Sequence, residues 1–449
     1  MAEAVGSSSS VAPVDPMRRI VYVVSQELVK ISSLLPSNKK RSILVHSLIN
    51  SLGLLNPKFS EKKRVQVVTP RKATYKDLAV YHTRDYLEAV LNPKNGSLSD
   101  KFKGLSVDAV EIDREFGLED DCPIFPGLSE YIQLVGGATL TAVAAIQQNL
   151  ASVAICWDGG RHHARKDQAA GFCYVADCIL AILALKKAMI SVDPVPLMAK
   201  TLSSDEDGIQ AATQKRKPRI MYLDLDLHFS DAVSEAFYAP RSTSAPQILT
   251  LSIHHTSPGF YPSSSRSSLP PYDSPSSSTI FDPLTLSIPL LLGASAKTYH
   301  WVFTNVVERI RSIFDPDYVI VQSGVDALAG DPCGTFNWCL DREVEGSMGW
   351  CVERIVREWR GKKVLLGGGG YNSPNAARAW AYLTSITLDN PLDLETSIPD
   401  HNGFPLYEPS FTLDVPAGNM TDHNSDEYLS TIETCYENVY IALRERLDV

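Results

Sequence analysis

Residues 220–228 read Ile-Met-Tyr-Leu-Asp-Leu-Asp-Leu-His. Most of this stretch is a run of large apolar residues, which suits a strand buried on both faces, as in a parallel sheet. The same composition recurs at residues 19–24, 153–157, 248–253, 318–322 and 363–366. Between these runs lie helical patterns. Residues 128–149 and 177–189 are long, rich in Ala and Leu and free of Pro, while 300–314 and 348–359 repeat apolar residues at helical spacing. Strands alternating with helices predict a doubly wound α/β sheet.

The 449 residues would make about three domains at roughly 150 residues each, but α/β enzymes often run longer as one. With 44% hydrophobic and 21% charged residues, the composition is that of a globular protein. A net charge of −10 argues against direct nucleic-acid binding over a broad surface. No apolar run reaches the roughly 18 residues of a membrane span. Residues 1–16 are rich in Ser, Ala and Pro, lack a secretory pattern and read as a disordered tail before a single domain at 17–449. Two stretches read as mobile insertions near 200–217 and 262–278, the first with SSDEDG and QKRK, the second with nine serines and four prolines. Eight scattered cysteines without a CxxC pair suggest reduced thiols. The basic pieces at 39–41 and 215–217 are too short to define a nuclear signal.

In an open α/β sheet, sites form beyond the carboxyl ends of the strands. Four strand candidates run into polar or glycine-rich sequence there: Asp158-Gly-Gly-Arg-His-His163, Asp226-Leu-His228, Ser323-Gly-Val-Asp326 and Gly367-Gly-Gly-Gly-Tyr371. Asp226 and His228 are two apart, so on an extended segment they share a face. Asp and His both ligate zinc, and Asp326 could be the third ligand of a catalytic site that keeps one position open. A lone D-x-H is more often a surface or capping pair; the convergence of four strand ends favours a site. His162 and His163 follow a Gly pair that lets the backbone bend tightly. Asp224 and Asp231 are spare carboxylates that could orient them as two His–Asp dyads. Four glycines alone could be a flexible loop, and the absence of a following Lys-Ser/Thr disfavours a phosphate loop.

These residues resemble the class I histone deacetylases of the zinc-dependent arginase/deacetylase superfamily. The resemblance runs from about residue 19 to about residue 409 through DCP (121–123), GGRHHARKDQAAGFCY (159–174), YLDLDLH (222–228), SPGFYP (257–262), GVDALAGDP (324–332) and GGGGYN (367–372). It implies a single α/β domain with a parallel sheet of about eight strands and helices on both faces. It further implies hydrolysis of acetyl-lysine in a histone or a non-histone protein such as a cohesin subunit, in the nucleus or cytoplasm. Asp226, His228 and Asp326 would bind Zn2+, with Fe2+ also suited to such ligands. His163, backed by Asp231, would be the general base and acid, His162 with Asp224 its electrostatic partner, and Tyr371 the oxyanion hydroxyl. Gly171, Phe172, Tyr261 and Cys333 would line the acetyl-lysine tunnel, Asp121 would grip substrate backbone, and Arg41 would line the acetate-release cavity. Asp224, Asp226, His228, Ser252 and Ile253 would hold K+, with Phe237 marking a second such site.

The chain also departs from the family pattern. Where the family reads HHGDG, residues 228–232 read His-Phe-Ser-Asp-Ala; Arg161 replaces the Trp before the His pair; Tyr261 replaces a Phe; and a serine-rich run replaces Gly-Thr-Gly. Pro332 and Pro374 stand where many class I enzymes carry arginines that grip an inositol phosphate. With a chain ending at Val449, this resembles the stand-alone members that need no corepressor complex. Two alternatives stay open: a deacetylase of small acetylated amines such as polyamines, which the backbone-gripping Asp121 disfavours, and an inactive acetyl-lysine-binding scaffold.

Overall fold

The computed structural model describes residues 16–92, 114–192, 214–271 and 281–448. The expected tail lies outside the described residues except Pro16, as do most of the first insertion and the second from residue 272. Ten strands are described: β1 (Arg19–Val23), β2 (Arg64–Val68), β3 (Val153–Cys156), β4 (Ile190–Val192), β5 (Gln214–Arg216), β6 (Ile220–Asp224), β7 (Ile248–His255), β8 (Thr285–Leu290), β9 (Tyr318–Gln322) and β10 (Lys362–Leu366). Eight of them form one sheet in the order β2-β1-β3-β10-β9-β6-β7-β8. Every pairing in it is parallel.

Residue alternation along these strands feeds two cores. In β1, Ile20 and Tyr22 pack into one apolar cluster and Val21 and Val23 into the other; in β9, Val319 and Val321 oppose Tyr318 and Ile320. Helices cover both faces. Leu128–Gln147 and Asp177–Lys186 close one core, while Arg41–Ser51, Ser373–Thr387 and Asp426–Leu447 close the other. This is the doubly wound sheet expected from the sequence, with the eight strands that the resemblance implied.

The strand at 220–227 is shorter than its apolar run. β6 leaves the ladder at Asp224, and the next residues turn to face the site, held by Asp226 N–H on Asp224 Oδ1 (3.0 Å) and His228 N–H on Asp226 Oδ1 (3.1 Å). The helix expected at 177–189 stops at Lys186, because Ile190–Val192 pairs with Gln214–Arg216 in a small antiparallel ribbon. The last residues of the first insertion are thus strand. In the second, the described residues include a short 3-10 turn at Ser265–Ser267. The helix expected from residue 300 begins earlier, at Ala296, and passes through a π turn at Phe303–Val307 before ending at Phe314.

Candidate active site

The sheet order explains why the four motifs meet. β3, β10, β9 and β6 are consecutive in the centre of the sheet, so their carboxyl ends open into one crevice. Asp226, His228 and Asp326 come together there, one ligand atom from each lying within 4.8 Å of the others. His228 Nδ1 faces Asp326 Oδ2 at 2.9 Å and Asp226 Oδ1 at 3.3 Å. Both carboxylates are buried. Burial and the neighbouring Asp226 charge push the Asp326 carboxyl up to about 7. Burial opposes a charge on His228, but its two carboxylate neighbours outweigh that and raise it well above the ordinary imidazole range. Two buried carboxylates and an imidazole aimed at one point are the donor set of a hard or borderline divalent cation, and such an ion would offset the repulsion between them.

Both expected His–Asp dyads form. His162 Nδ1 lies 2.9 Å from Asp224 Oδ2, and His163 Nδ1 lies 2.8 Å from Asp231 Oδ1. The rings are 3.9 Å apart, yet their environments separate them. Burial works against a charge on His162, but Asp226 and Asp224 prevail and raise it to about 9. Burial together with the positive charge on His162 lowers His163 to about 4. The two rings are thus pushed in opposite directions, His163 toward the free base and His162 toward the cation, a separation suited to acid–base work. The altered residues at 228–232 leave Asp231 in position. Ser230 adopts φ −75° where the family has glycine, so no left-handed backbone is required, and Asp231 opens the Asp231–Phe237 helix.

Tyr371 follows the glycine run and is held by Asp331, whose Oδ2 accepts the N–H groups of Tyr371 (2.7 Å) and Asn372 (3.1 Å). Burial, then the Asp326 and Asp226 charges, push its phenol well above its usual range, so it keeps its proton as a donor. Aromatic rings line the approach: Phe172 lies 5.5 Å edge-on to Tyr371, and Tyr261 lies 5.0 Å from His163. Gly171 (φ +55°) leads into Phe172 (φ +64°). Cys333 is half-buried, its N–H bonded to Asp331 Oδ1 at 3.0 Å. Asp121 is exposed and accepts the Gly171 N–H at 2.8 Å. Arg41 is buried and donates to the Gly370 carbonyl at 2.8 Å. Of the residues implied for K+, Asp224 stands directly opposite Ser252 in the β6–β7 register, with Ile253 next along β7.

Several site residues escaped sequence reasoning. Gln322, the last residue of β9, donates to Asp226 Oδ2 at 2.8 Å. Arg165 bonds Asp231 Oδ2 at 3.0 Å, and Tyr222 donates to Asp224 Oδ2. A buried Tyr22–His46–Asp158 chain runs behind the site at 2.8 and 2.9 Å. Asp331 and Arg165 lie inside quoted motifs and Gln322 ends a quoted apolar run, which was the available signal; the partners of Arg165 and His46 are set only by the fold.

A parallel α/β domain whose central strand ends gather an Asp–His–Asp cluster, two His–Asp dyads and a tyrosine hydroxyl defines a class: hydrolases that act around a bound metal ion. Residues 35–193 and 208–387 match the family model of the histone deacetylase domain, so the chain belongs to the histone deacetylase family. It is similar to histone deacetylase 8 of Danio rerio, with 33% identity over 426 residues, 94% of this chain and 96% of that protein. Against histone deacetylase 8 of Xenopus tropicalis the identity is 32% over 92% of this chain and 95% of that protein. Against histone deacetylase 1 of Homo sapiens it is 28% over 90% of this chain and 71% of that protein. No helix of the described residues is long and apolar enough to cross a membrane.

Proposed function

We propose that this chain is a zinc-dependent protein lysine deacetylase. The observation that carries the proposal is the juxtaposition of the buried Asp226–His228–Asp326 cluster with a neutral His163 backed by Asp231. Asp226, His228 and Asp326 would hold Zn2+, or Fe2+, which suits the same ligands; when bound, such an ion would supply Lewis-acid chemistry for the acetyl carbonyl and the attacking water. His163 accepts a proton from the attacking water and returns it to the departing lysine amine. The Tyr371 hydroxyl donates to the developing oxyanion, a contribution of about 3–4 kcal/mol in comparable sites. His162, charged and paired with Asp224, adds positive potential. Phe172, Gly171, Tyr261 and Cys333 form apolar walls that suit a neutral acetylated side chain better than a charged lysine. Asp121 at the rim binds backbone N–H groups of a protein substrate, histone or non-histone such as a cohesin subunit. Asp224, Asp226, His228, Ser252 and Ile253 hold K+, and Arg41 lines the route by which acetate leaves.

Pro332 is exposed and Pro374 sits in the first turn of the Ser373–Thr387 helix, a position that suits proline. Neither offers a charge to a phosphate, which supports activity without a corepressor complex. The test is one assay. The purified chain, loaded with Zn2+ or Fe2+, is given an acetyl-lysine peptide and an acetylated polyamine, with and without inositol phosphate. The proposal expects peptide turnover, weak polyamine turnover and a rate indifferent to inositol phosphate. Preference for the polyamine, or no turnover of either, would overturn it.

A further inference from the structure

The two His–Asp dyads are anchored differently. Asp224 is held by two groups besides its histidine: the Tyr222 hydroxyl on Oδ2 and the Asp226 N–H on Oδ1, at 3.0 Å. The Asp231 carboxylate has one partner on each oxygen among the described residues, His163 Nδ1 on Oδ1 at 2.8 Å and Arg165 Nη2 on Oδ2 at 3.0 Å. The terminal torsion of an aspartate is a broad rotor. Without Arg165, only the histidine that the carboxylate is meant to orient would fix its plane.

Arg165 is itself on a turn whose backbone is tied down. Its N–H bonds the Gln168 carbonyl at 2.9 Å, and the adjacent Lys166 carbonyl accepts the Thr83 N–H at 3.0 Å. Buried His82 accepts the Ala176 N–H on Nε2 at 3.0 Å, so its Nδ1 carries the proton that faces the same Lys166 carbonyl at 3.2 Å. From this turn the guanidinium crosses to the Asp231–Phe237 helix, where Nη1 also lies 3.9 Å from Glu235 Oε2. It therefore joins the segment that carries His163 to the helix that carries Asp231. Burial pushes the Asp231 carboxyl up, but His163 and Arg165 outweigh it and hold the group below its ordinary value. Of these two partners Arg165 is the one that is always charged. An ion pair this exposed, with the Arg165 side chain at 43%, adds little to stability. What it can supply is orientation.

We propose that Arg165 is a positioning residue for hydrolysis: it locks the Asp231 carboxylate in the plane that keeps the His163 proton on Nδ1 and leaves Nε2 bare. A carboxylate bonded to one ring nitrogen sets the tautomer and the ring orientation together. The Asp224 dyad needs no such residue, since Tyr222 and the Asp226 N–H already hold that carboxylate. That the bare Nε2 serves as the base of a deacetylase rests on the reading above; the control of the ring by Arg165 through Asp231 does not.

The test pairs kinetics with a direct view of the ring, both on the full-length, metal-loaded chain. With an acetyl-lysine peptide, Arg165→Ala should lower kcat about tenfold to a hundredfold, the range for outer partners that orient a site, with KM within about twofold and metal content unchanged. Arg165→Lys should restore most of the loss, because a single N–H contact is within reach of an ammonium. In an Asp231→Asn background, removing Arg165 should cost less than about twofold, whereas a merely structural role would cost the same in both backgrounds. Nitrogen-15 NMR at about pH 8, where an imidazole is neutral, reads the tautomer without turnover. The His163 signals, assigned by their absence in His163→Gln, should report one Nδ1–H tautomer in the wild type and a mixture in Arg165→Ala. Arg165→Gln, which removes the charge and keeps more of the side chain, serves for both measurements should the Ala variant fold poorly. A near-normal kcat without Arg165, an equal loss in both backgrounds, or an unchanged tautomer overturns the proposal. A chain that turns over peptide equally well without Arg165 loses only this inference. A chain whose His163 tautomer depends on Arg165 but which hydrolyses no peptide loses only the deacetylase reading.

Discussion

A methyl group on residue 171 would lie 2.4 Å from a carbon of the His163 ring, in a backbone at φ +55° that side chains rarely adopt. Gly171 is thus required twice, by conformation and by the closeness of the tunnel wall to the base. Gly171→Ala should displace the imidazole by about 1 Å, and a misplacement of that size costs about a hundredfold in turnover. Metal content should be unchanged, since Gly171 touches none of the Asp226, His228 or Asp326 side chains. Steady-state kinetics beside metal analysis checks this, and an Ala variant with near-normal turnover would mean that His163 is not the base. At this scale the sequence was readable wherever a motif announced itself, as with Asp226, His228 and His163. It was silent where a partner comes from a distant strand. Nothing around Gln322 indicates that its amide reaches Asp226, and nothing around Arg165 that it bonds Asp231.

At the scale of elements, the six strands expected from continuous apolar runs are all strands, and four of them are the central ones that carry the site. The two strands of the eight-stranded sheet that escaped notice, β2 and β8, are its edges. Their composition explains the omission. β2 reads Arg-Val-Gln-Val-Val with only Val65 buried, and β8 contains Ser287 and Pro289, which an edge tolerates because one side of its ladder is unpaired. Buried centre and exposed edge should differ in local stability. Hydrogen–deuterium exchange should therefore find β3, β10, β9 and β6 the slowest, and β2 and the β4–β5 ribbon the fastest of the strands. Rapid exchange in β6 or β9 would contradict a site anchored in the rigid middle of the sheet.

At the scale of the molecule, the fold delivers to one crevice groups that are far apart in the sequence: residue 163 beside 231, 226 beside 326, 41 beside 370. The sheet order, not any one motif, makes the site. The central claim is that Asp226, His228 and Asp326 bind the metal ion on which hydrolysis depends. The most direct measurement is the metal content and acetyl-lysine peptide turnover of Asp326→Ala against the wild type, each purified and loaded with Zn2+ in the same way. The account predicts about one ion per wild-type chain and loss of both the ion and the turnover in the variant. An Asp326→Ala chain that keeps a full equivalent of metal and its activity would contradict it.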